Sequence, residues 1–339
     1  MEKNYLHTPS AACPFSGEVA ASLESLIQKG LKAVNAVIIE NSRHEDPTIR
    51  KVIEHVLKTE GKRLRARFIL ASWLCYNDSL NDRIINLASS AELFHTASLL
   101  HDDVMDEAPV RRGRKTVNAI WDSKTAVLLG DYILSITFKL LDIVDSQRIF
   151  RNFIETAQFL GEGALMEQCH KDDLDTSEKT YIYIITRKTA AFFRMCASIG
   201  AMLCDAPEDE IEKLGIFGLN YGIAFQITDD LLDVISNEST MGKPRGQDIL
   251  EGHLTLPIID YFALNPTKVP SKKLSELTEV DSEFTRLMND LNCDGILLKS
   301  YDKAADYINK ALSSLDEMPN RPALDIFRNT AKEVLKRKA

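Results

Sequence analysis

The chain of 339 residues is 45% apolar and 27% charged, the balance of a globular protein with a sizeable core. Its net charge of -9 argues against nucleic acid or an anionic membrane surface as a general partner. Six scattered cysteines without a C-x-x-C pair fit a reducing compartment, no apolar run reaches transmembrane length, and Met1 to Phe15 lacks an apolar signal core, so a cytoplasmic location is expected.

Residues 1–17 carry two prolines and a glycine and read as a flexible N-terminal arm, ahead of one all-helical unit over 18–339. From Glu18 to Glu40 apolar residues recur at helical spacing. Asp46-Pro47 then sets an N-cap and first helical position. The next segment, Gly61-Lys62-Arg63-Leu64-Arg65, places three cations at a helix start, against the macrodipole. It reads either as a solvated turn or as a phosphate site.

Glu92 to Met105 is a helix without Gly or Pro, ending in Asp102, Asp103 and Asp106 on the spacing D-D-x-x-D. Residues four apart share a helix face, so Asp102 and Asp106 point the same way. Three anions at a helix C-terminus oppose the dipole, and a divalent cation with oxygen-only ligands, Mg²⁺ above all, would relieve the repulsion. One such motif is also what a solvated acidic helix end looks like. The repeat at Asp229, Asp230 and Asp233, in a second mainly apolar helix, favours a metal trap. Arg111, Arg112, Arg114 and Lys115 follow the first cluster, and acidic and basic groups side by side suit a metal-bridged polyphosphate.

Further helices are expected over Asp122–Val144, Arg148–His170 and Lys179–Cys204 and from Pro207 through the second cluster, then three amphipathic helices after Leu274. Lys171 to Asp175 reads as a solvated loop. Lys188 is either a snorkelling lysine or a phosphate ligand. Nothing alternates as a strand does, so the fold class is all-α, one large helical bundle around a central cavity.

Taken in order, the Gly61–Arg65 cluster, both aspartate motifs, Lys188-Thr189, Phe225-Gln226 and Gly242-Lys243-Pro244 resemble the trans-isoprenyl (polyprenyl) diphosphate synthases over roughly residues 45–335. The resemblance implies the isoprenoid synthase fold, a homodimer, and Mg²⁺-dependent joining of isopentenyl diphosphate to an allylic diphosphate, with three Mg²⁺ per active site. By resemblance, Asp102, Asp106 and Asp229 would hold Mg²⁺, with Asp103, Asp230 and Asp233 completing the clusters. Arg111, Lys188 and Lys243 would neutralise the allylic diphosphate. Gly61, Lys62, Arg65, His95 and Arg112 would hold isopentenyl diphosphate, and Thr189 and Gln226 would face the allylic cation. The chain departs from the family pattern at Glu60, Ala66 and Lys115, and at His253, where a lysine is usual. The alternatives are a non-catalytic subunit of a heteromeric synthase and a class I terpene cyclase. The intact aspartates speak against the first, the Lys62–Arg65 cluster against the second.

Product length is expected to depend on the face of the first aspartate helix below Asp102. Ala97 and Ser98 are small there, which predicts an open pocket and a product of geranylgeranyl length or more. Phe94, roughly 12 Å deeper, is either the floor, with Phe138 beside it, or ordinary core packing.

Overall fold

A computed structural model describes residues 17–58, 61–235, 245–293 and 295–336. The described residues are helical apart from connecting turns and one short hairpin. The first helices are α1 (Gly17–Asn41), α2 (Pro47–Leu57), α3 (Leu64–Leu74) and α4 (Asp82–Met105), followed by α5 (Val117–Ile120), α6 (Ser123–Val144) and α7 (Gln147–Cys169). Helices α8 (Glu178–Ile185) and α9 (Ala191–Leu203) are joined without a break by a π turn, Thr186–Ala190. Then come α10 (Glu208–Ile235), α11 (Gln247–Leu250), α12 (Leu256–Leu264), α13 (Ser282–Cys293), α14 (Ile296–Asp316) and α15 (Leu324–Val334).

Polar side chains set the helix starts. Asp46 accepts from the Thr48 and Ile49 N–H groups at 2.8 and 3.1 Å, ahead of Pro47. Asn81 accepts from Ile84 N–H at 3.1 Å, so α4 begins ten residues before Glu92, where the sequence reading begins its helix. Asp122, Ser146 and Ser177 cap α6, α7 and α8 in the same way.

Helix α4 is buried on nearly every side, packed along α6 and beneath α3, while α10 lies against α9 and α14. This places both aspartate-bearing helix ends inside the bundle. Between α3, α9, α10 and α15 sits an aromatic cluster, in which Phe68 stacks on Phe327 at 5.3 Å and meets Tyr221 edge-on at 4.9 Å. Burying a side chain such as Phe68 completely contributes about 1.5–3 kcal/mol.

Two segments differ from the sequence reading. Val110–Arg111 and Arg114–Lys115 pair as an antiparallel hairpin, too short to show alternation. Its two turn residues, Arg112 and Gly113, have φ of 52° and 71°, the positive pair that tight two-residue hairpins need. The 171–175 segment is exposed at Lys171 and Asp175, as a solvated loop would be, but docked through Asp172. Asp172 accepts from the Ser275 N–H and hydroxyl at 2.8 and 2.5 Å and donates its own N–H to the Gly252 carbonyl at 2.9 Å. Residues 1–16 of the expected N-terminal arm lie outside the described residues.

Candidate active site

The carboxylate ends of α4 and α10 meet at a cavity of about 220 Å³. Asp102, Asp106, Asp230, Lys188, Arg111 and Gln226 all line it, joined by Glu167, Tyr181, Glu251 and His253.

The two aspartate motifs do not act as equal triplets. Asp102 and Asp106 face the cavity, whereas Asp103 is buried and paired with Arg111 Nε at 2.5 Å, tying the hairpin to the end of α4. In the second motif Asp230 lines the cavity. Its Oδ2 accepts from the Tyr181 hydroxyl at 2.5 Å and its Oδ1 from Gln226 Nε2 at 2.8 Å. Asp233 accepts the Gln247 and Asp248 N–H groups, both at 3.2 Å, and so caps α11, whose own N-cap residue is Gly246. Asp229, next to Asp230, is half-buried, and its charge is felt at both Arg112 and Asp230.

Burial raises the Asp102 pKa, and the nearby charge on Asp106 adds to the shift, although Lys188 and Arg111 oppose it. Asp230 is pushed up to about 7, first by burial and then by Asp229 and Glu167, against its two hydrogen bonds. Asp102 and Asp230, carboxylates that burial holds above their ordinary range, form with Asp106 on the same cavity wall an oxygen-only donor set that fits a divalent cation.

The π turn delivers the counter-charge. Lys188 forms an ion pair with Glu167 of α7. Burial alone would lower its pKa, but Glu167, Asp102 and Asp106 together hold it above the ordinary lysine value, so it is fully charged. Beside it the Thr189 hydroxyl donates to Gln226 Oε1 at 2.9 Å, completing a chain Thr189–Gln226–Asp230–Tyr181. Two glycines let neighbouring helices close on this turn. A Cβ on Gly163 of α7 would stand 2.4 Å from the Lys188 backbone nitrogen, and one on Gly222 of α10 would stand 2.6 Å from Ala190 Cα. A single π turn with close helix contacts on two sides is a common device at functional sites.

A second, basic cluster lies behind the first. Arg65 sits with its guanidinium carbon 4.8 Å from the ring centres of both Phe192 and Phe193, and burial lowers its pKa. Its buried Nε finds no hydrogen-bond partner among the described residues. His95 is held well below its ordinary pKa by burial and by Arg65, Arg112, Arg111 and Arg63, so at neutral pH it is an uncharged imidazole. Gly61 lies under Arg112, where a Cβ would come within 2.6 Å of Nη1, and Lys62 is exposed. Arg65 and Arg112 come together with the neutral His95, while Arg63 and Arg111 are paired with carboxylates, an arrangement suited to receiving an anion. Glu92 organises its floor. One carboxylate oxygen accepts from Arg63 at 3.3 Å and the other from the Ala66 N–H at 3.0 Å, capping α3 from across the fold.

The residues Phe94, Ala97 and Ser98, expected to set product length, all lie on α4, towards its start from Asp102. Phe94 packs edge-on against Phe153 and Phe192 at 6.0 and 5.3 Å, Ala97 is fully buried, and the Ser98 hydroxyl donates to the His95 carbonyl at 2.9 Å. Phe138 is not beside Phe94. It is 49% exposed on α6, against Phe150, because its position faces away from the bundle. Lys243 lies outside the described residues. Glu92, Glu167, Tyr181, Asp248 and Glu251 belong to the site, yet the sequence reading does not single them out. Each is a lone polar residue in a helical or turn context without a motif around it. Asp248, half-buried beside Asp233 and Asp230, has its pKa raised first by loss of solvent and then by those two carboxylates.

The polyprenyl synthetase family model matches residues 46–291. Heptaprenyl diphosphate synthase component 2 of Geobacillus stearothermophilus is 31% identical over 317 residues, covering 93% of this chain and 98% of that protein. All-trans-nonaprenyl-diphosphate synthase (geranyl-diphosphate specific) of Rhodobacter capsulatus is 33% identical, covering 88% and 89%. Among solved structures, a polyprenyl synthase from Caulobacter crescentus complexed with calcium and isoprenyl diphosphate superposes with a TM-score of 0.85 at 30% identity, covering 94% of this chain and 98% of that one.

Proposed function

This chain belongs to the polyprenyl synthetase family and is a prenyltransferase of the polyprenyl diphosphate synthase class, and we propose that it condenses isopentenyl diphosphate with an allylic diphosphate, head to tail, all-trans and with Mg²⁺. The observation that carries the reading is the meeting of Asp102, Asp106 and Asp230 with Lys188 and Arg111 around one cavity, beside a separate arginine–histidine anion site. A single bound diphosphate would need only one of these. Two substrates that each carry a diphosphate need both.

The reaction breaks the allylic C–O bond, and the isopentenyl double bond supplies the electrons of the new C–C bond. A proton is then lost to the released diphosphate. The barrier is governed by negative charge growing on the leaving oxygens. Lys188 and Arg111, held in place by Glu167 and Asp103, neutralise part of that charge without having to reorganise. Asp102, Asp106 and Asp230, with Asp229 next to Asp230, would hold Mg²⁺, which when bound would supply Lewis-acid stabilisation of the diphosphate. The oxygens of Thr189 and Gln226, fixed by their mutual hydrogen bond, face the allylic carbon and stabilise its positive charge as the bond breaks. Arg65, Arg112 and neutral His95 hold the isopentenyl diphosphate, with His95 donating a hydrogen bond rather than adding charge.

We assign a product of geranylgeranyl length or longer, since Ala97 and Ser98 leave the α4 face narrow-sided below Asp102. The working species is read as a homodimer joined through α6 and α7, where Leu128, Phe138, Phe150, Ile154 and Leu165 are 68%, 49%, 39%, 44% and 70% exposed. Such a run of apolar side chains supports an interface. None of the described helices is long and apolar enough to cross a membrane, which supports a cytoplasmic enzyme. A second reading, one component of a heteromeric synthase, is favoured by the similarity to a heptaprenyl diphosphate synthase component 2. Purified protein, labelled isopentenyl diphosphate and farnesyl diphosphate, incubated with and without Mg²⁺ and sized by chromatography after phosphate removal, separates them. A Mg²⁺-dependent ladder ending at one length supports the homomeric synthase. No incorporation from geranyl, farnesyl or geranylgeranyl primers favours the heteromeric reading.

A further inference from the structure

Asp106 closes α4, and Glu251 and His253 follow α11 across the cavity wall. One ligand atom from each lies within 4.8 Å of the other two. A cation with ligand bonds of about 2.1 Å draws such a trio together with small side-chain shifts. Of the three, His253 alone offers nitrogen.

The trio is braced from outside. Gln247 Nε2 donates to Glu251 Oε1 at 2.7 Å, which leaves Oε2 turned to His253 Nε2 at 3.6 Å. The His253 N–H donates to the Asp248 carbonyl at 2.8 Å. Gly252, with φ of 81°, has Asp172 filling the space where a Cβ would stand, at 2.7 Å, so the backbone entering His253 is fixed on both sides. Outer contacts of this kind orient metal ligands. The ring itself is under-used. The His253 side chain is 16% exposed, and its buried Nδ1 has no hydrogen-bond partner among the described residues.

We infer that Asp106, Glu251 and His253 form a second divalent-cation site on the wall of the prenyl-transfer cavity, one that prefers a transition ion of the manganese-to-zinc series over magnesium. Asp106 is shared with the magnesium set, whose other members, Asp102 and Asp230, offer oxygen alone, which suits magnesium. An imidazole added to two carboxylates shifts the preference toward later first-row ions. A lysine at position 253, usual in the family, would place an ammonium where the ion sits and close the site. The inference rests on the prenyl-transfer reading for the identity of the cavity, but its test uses no prenyl substrate, so the two fail separately.

The experiment uses the untagged, full-length protein, stripped of metal and free of diphosphate. Co²⁺ and Mg²⁺ affinities are measured for wild type and His253→Gln, and pulsed electron paramagnetic resonance of bound Mn²⁺ reads nitrogen coordination in the wild type. We expect a ¹⁴N coupling in the wild type that the variant lacks. Co²⁺ binding should weaken about tenfold or more, with the Mg²⁺ affinity within about twofold. If His253→Gln does not fold, His253→Lys takes its place. Absence of the nitrogen coupling in the wild type, its persistence in either variant, or equal losses for Co²⁺ and Mg²⁺ would each overturn the inference.

Discussion

The Tyr181 hydroxyl reaches across from α8 to donate to Asp230 Oδ2 on α10 at 2.5 Å, and Gln226 donates to the other oxygen of the same carboxylate. The contact fixes an aspartate that burial would otherwise leave free to protonate or swing. Tyr181→Phe keeps the ring and removes the donor, leaving a buried carboxylate oxygen short of a partner. We expect a loss of about 1–3 kcal/mol in stability and a fall in turnover larger than any change in KM. Thermal melts and steady-state kinetics read both. Unchanged kinetics would make the tyrosine a packing residue only.

Asp230 also sets a pH dependence. Its folded pKa, pushed up to about 7, lies above the ordinary carboxyl value of 3.8, so the native state holds a proton the unfolded chain has released. The stabilisation this brings is complete below the unfolded value and is lost as pH rises through about 7. Metal-free protein should therefore melt at lower temperature at pH 8 than at pH 5.5, and Asp230→Asn should flatten that slope. Mg²⁺ with diphosphate, which favours the ionised form, should recover most at the higher pH. Parallel slopes for wild type and Asp230→Asn would remove Asp230 as the cause.

Two glycine contacts separate fold from function. A Cβ on Gly163 meets the Lys188 backbone, which cannot move aside, whereas a Cβ on Gly61 meets the far end of the Arg112 side chain, which can. Gly163→Ala should cost about 1–3 kcal/mol and lower kcat by displacing Lys188. Chemical denaturation and kcat check this together.

Gly61→Ala should leave stability within about 0.5 kcal/mol and instead raise KM for isopentenyl diphosphate several-fold, since the displaced Arg112 guanidinium belongs to the anion site. An equal rise in KM for the allylic substrate would move Arg112 to the other subsite.

Chain length is tested on α4. Ala97→Phe should shorten the product sharply, because it puts a bulky ring on α4 one turn or so below Asp102, where the present side chain is small. Phe94→Ala should lengthen it if the ring forms the floor. A product distribution unchanged by Phe94→Ala assigns the ring to core packing with Phe153 and Phe192.

Much of this architecture was legible in advance, for local reasons. Helix starts followed from Asp46, Pro47, Asp122 and the apolar period, because capping acts within one turn. The aspartate motifs were visible because spacing alone puts Asp102 and Asp106 on one face. What each carboxylate does was not visible, since it depends on partners far along the chain. Asp233 caps α11, Asp103 grips Arg111, and Glu92 caps α3 across 26 residues. Asp172 reads as a loop residue until Ser275, 103 positions later, folds onto it. The π turn leaves no mark on periodicity that a short apolar helix would reveal.

That turn divides one continuous rod into two stretches that answer to different neighbours. The inserted residue rotates everything downstream by about 100°, so Tyr181, Ile184 and Ile185 serve the cavity while Phe192 and Phe193 serve Arg65 and the core. A substitution alters what one side chain is, whereas the turn alters where all later ones point. The two faces can therefore drift in sequence independently, while the count of residues between them stays fixed. Removing one residue from Thr186–Ala190 would rotate one stretch out of phase with its neighbours for as long as the other kept its own.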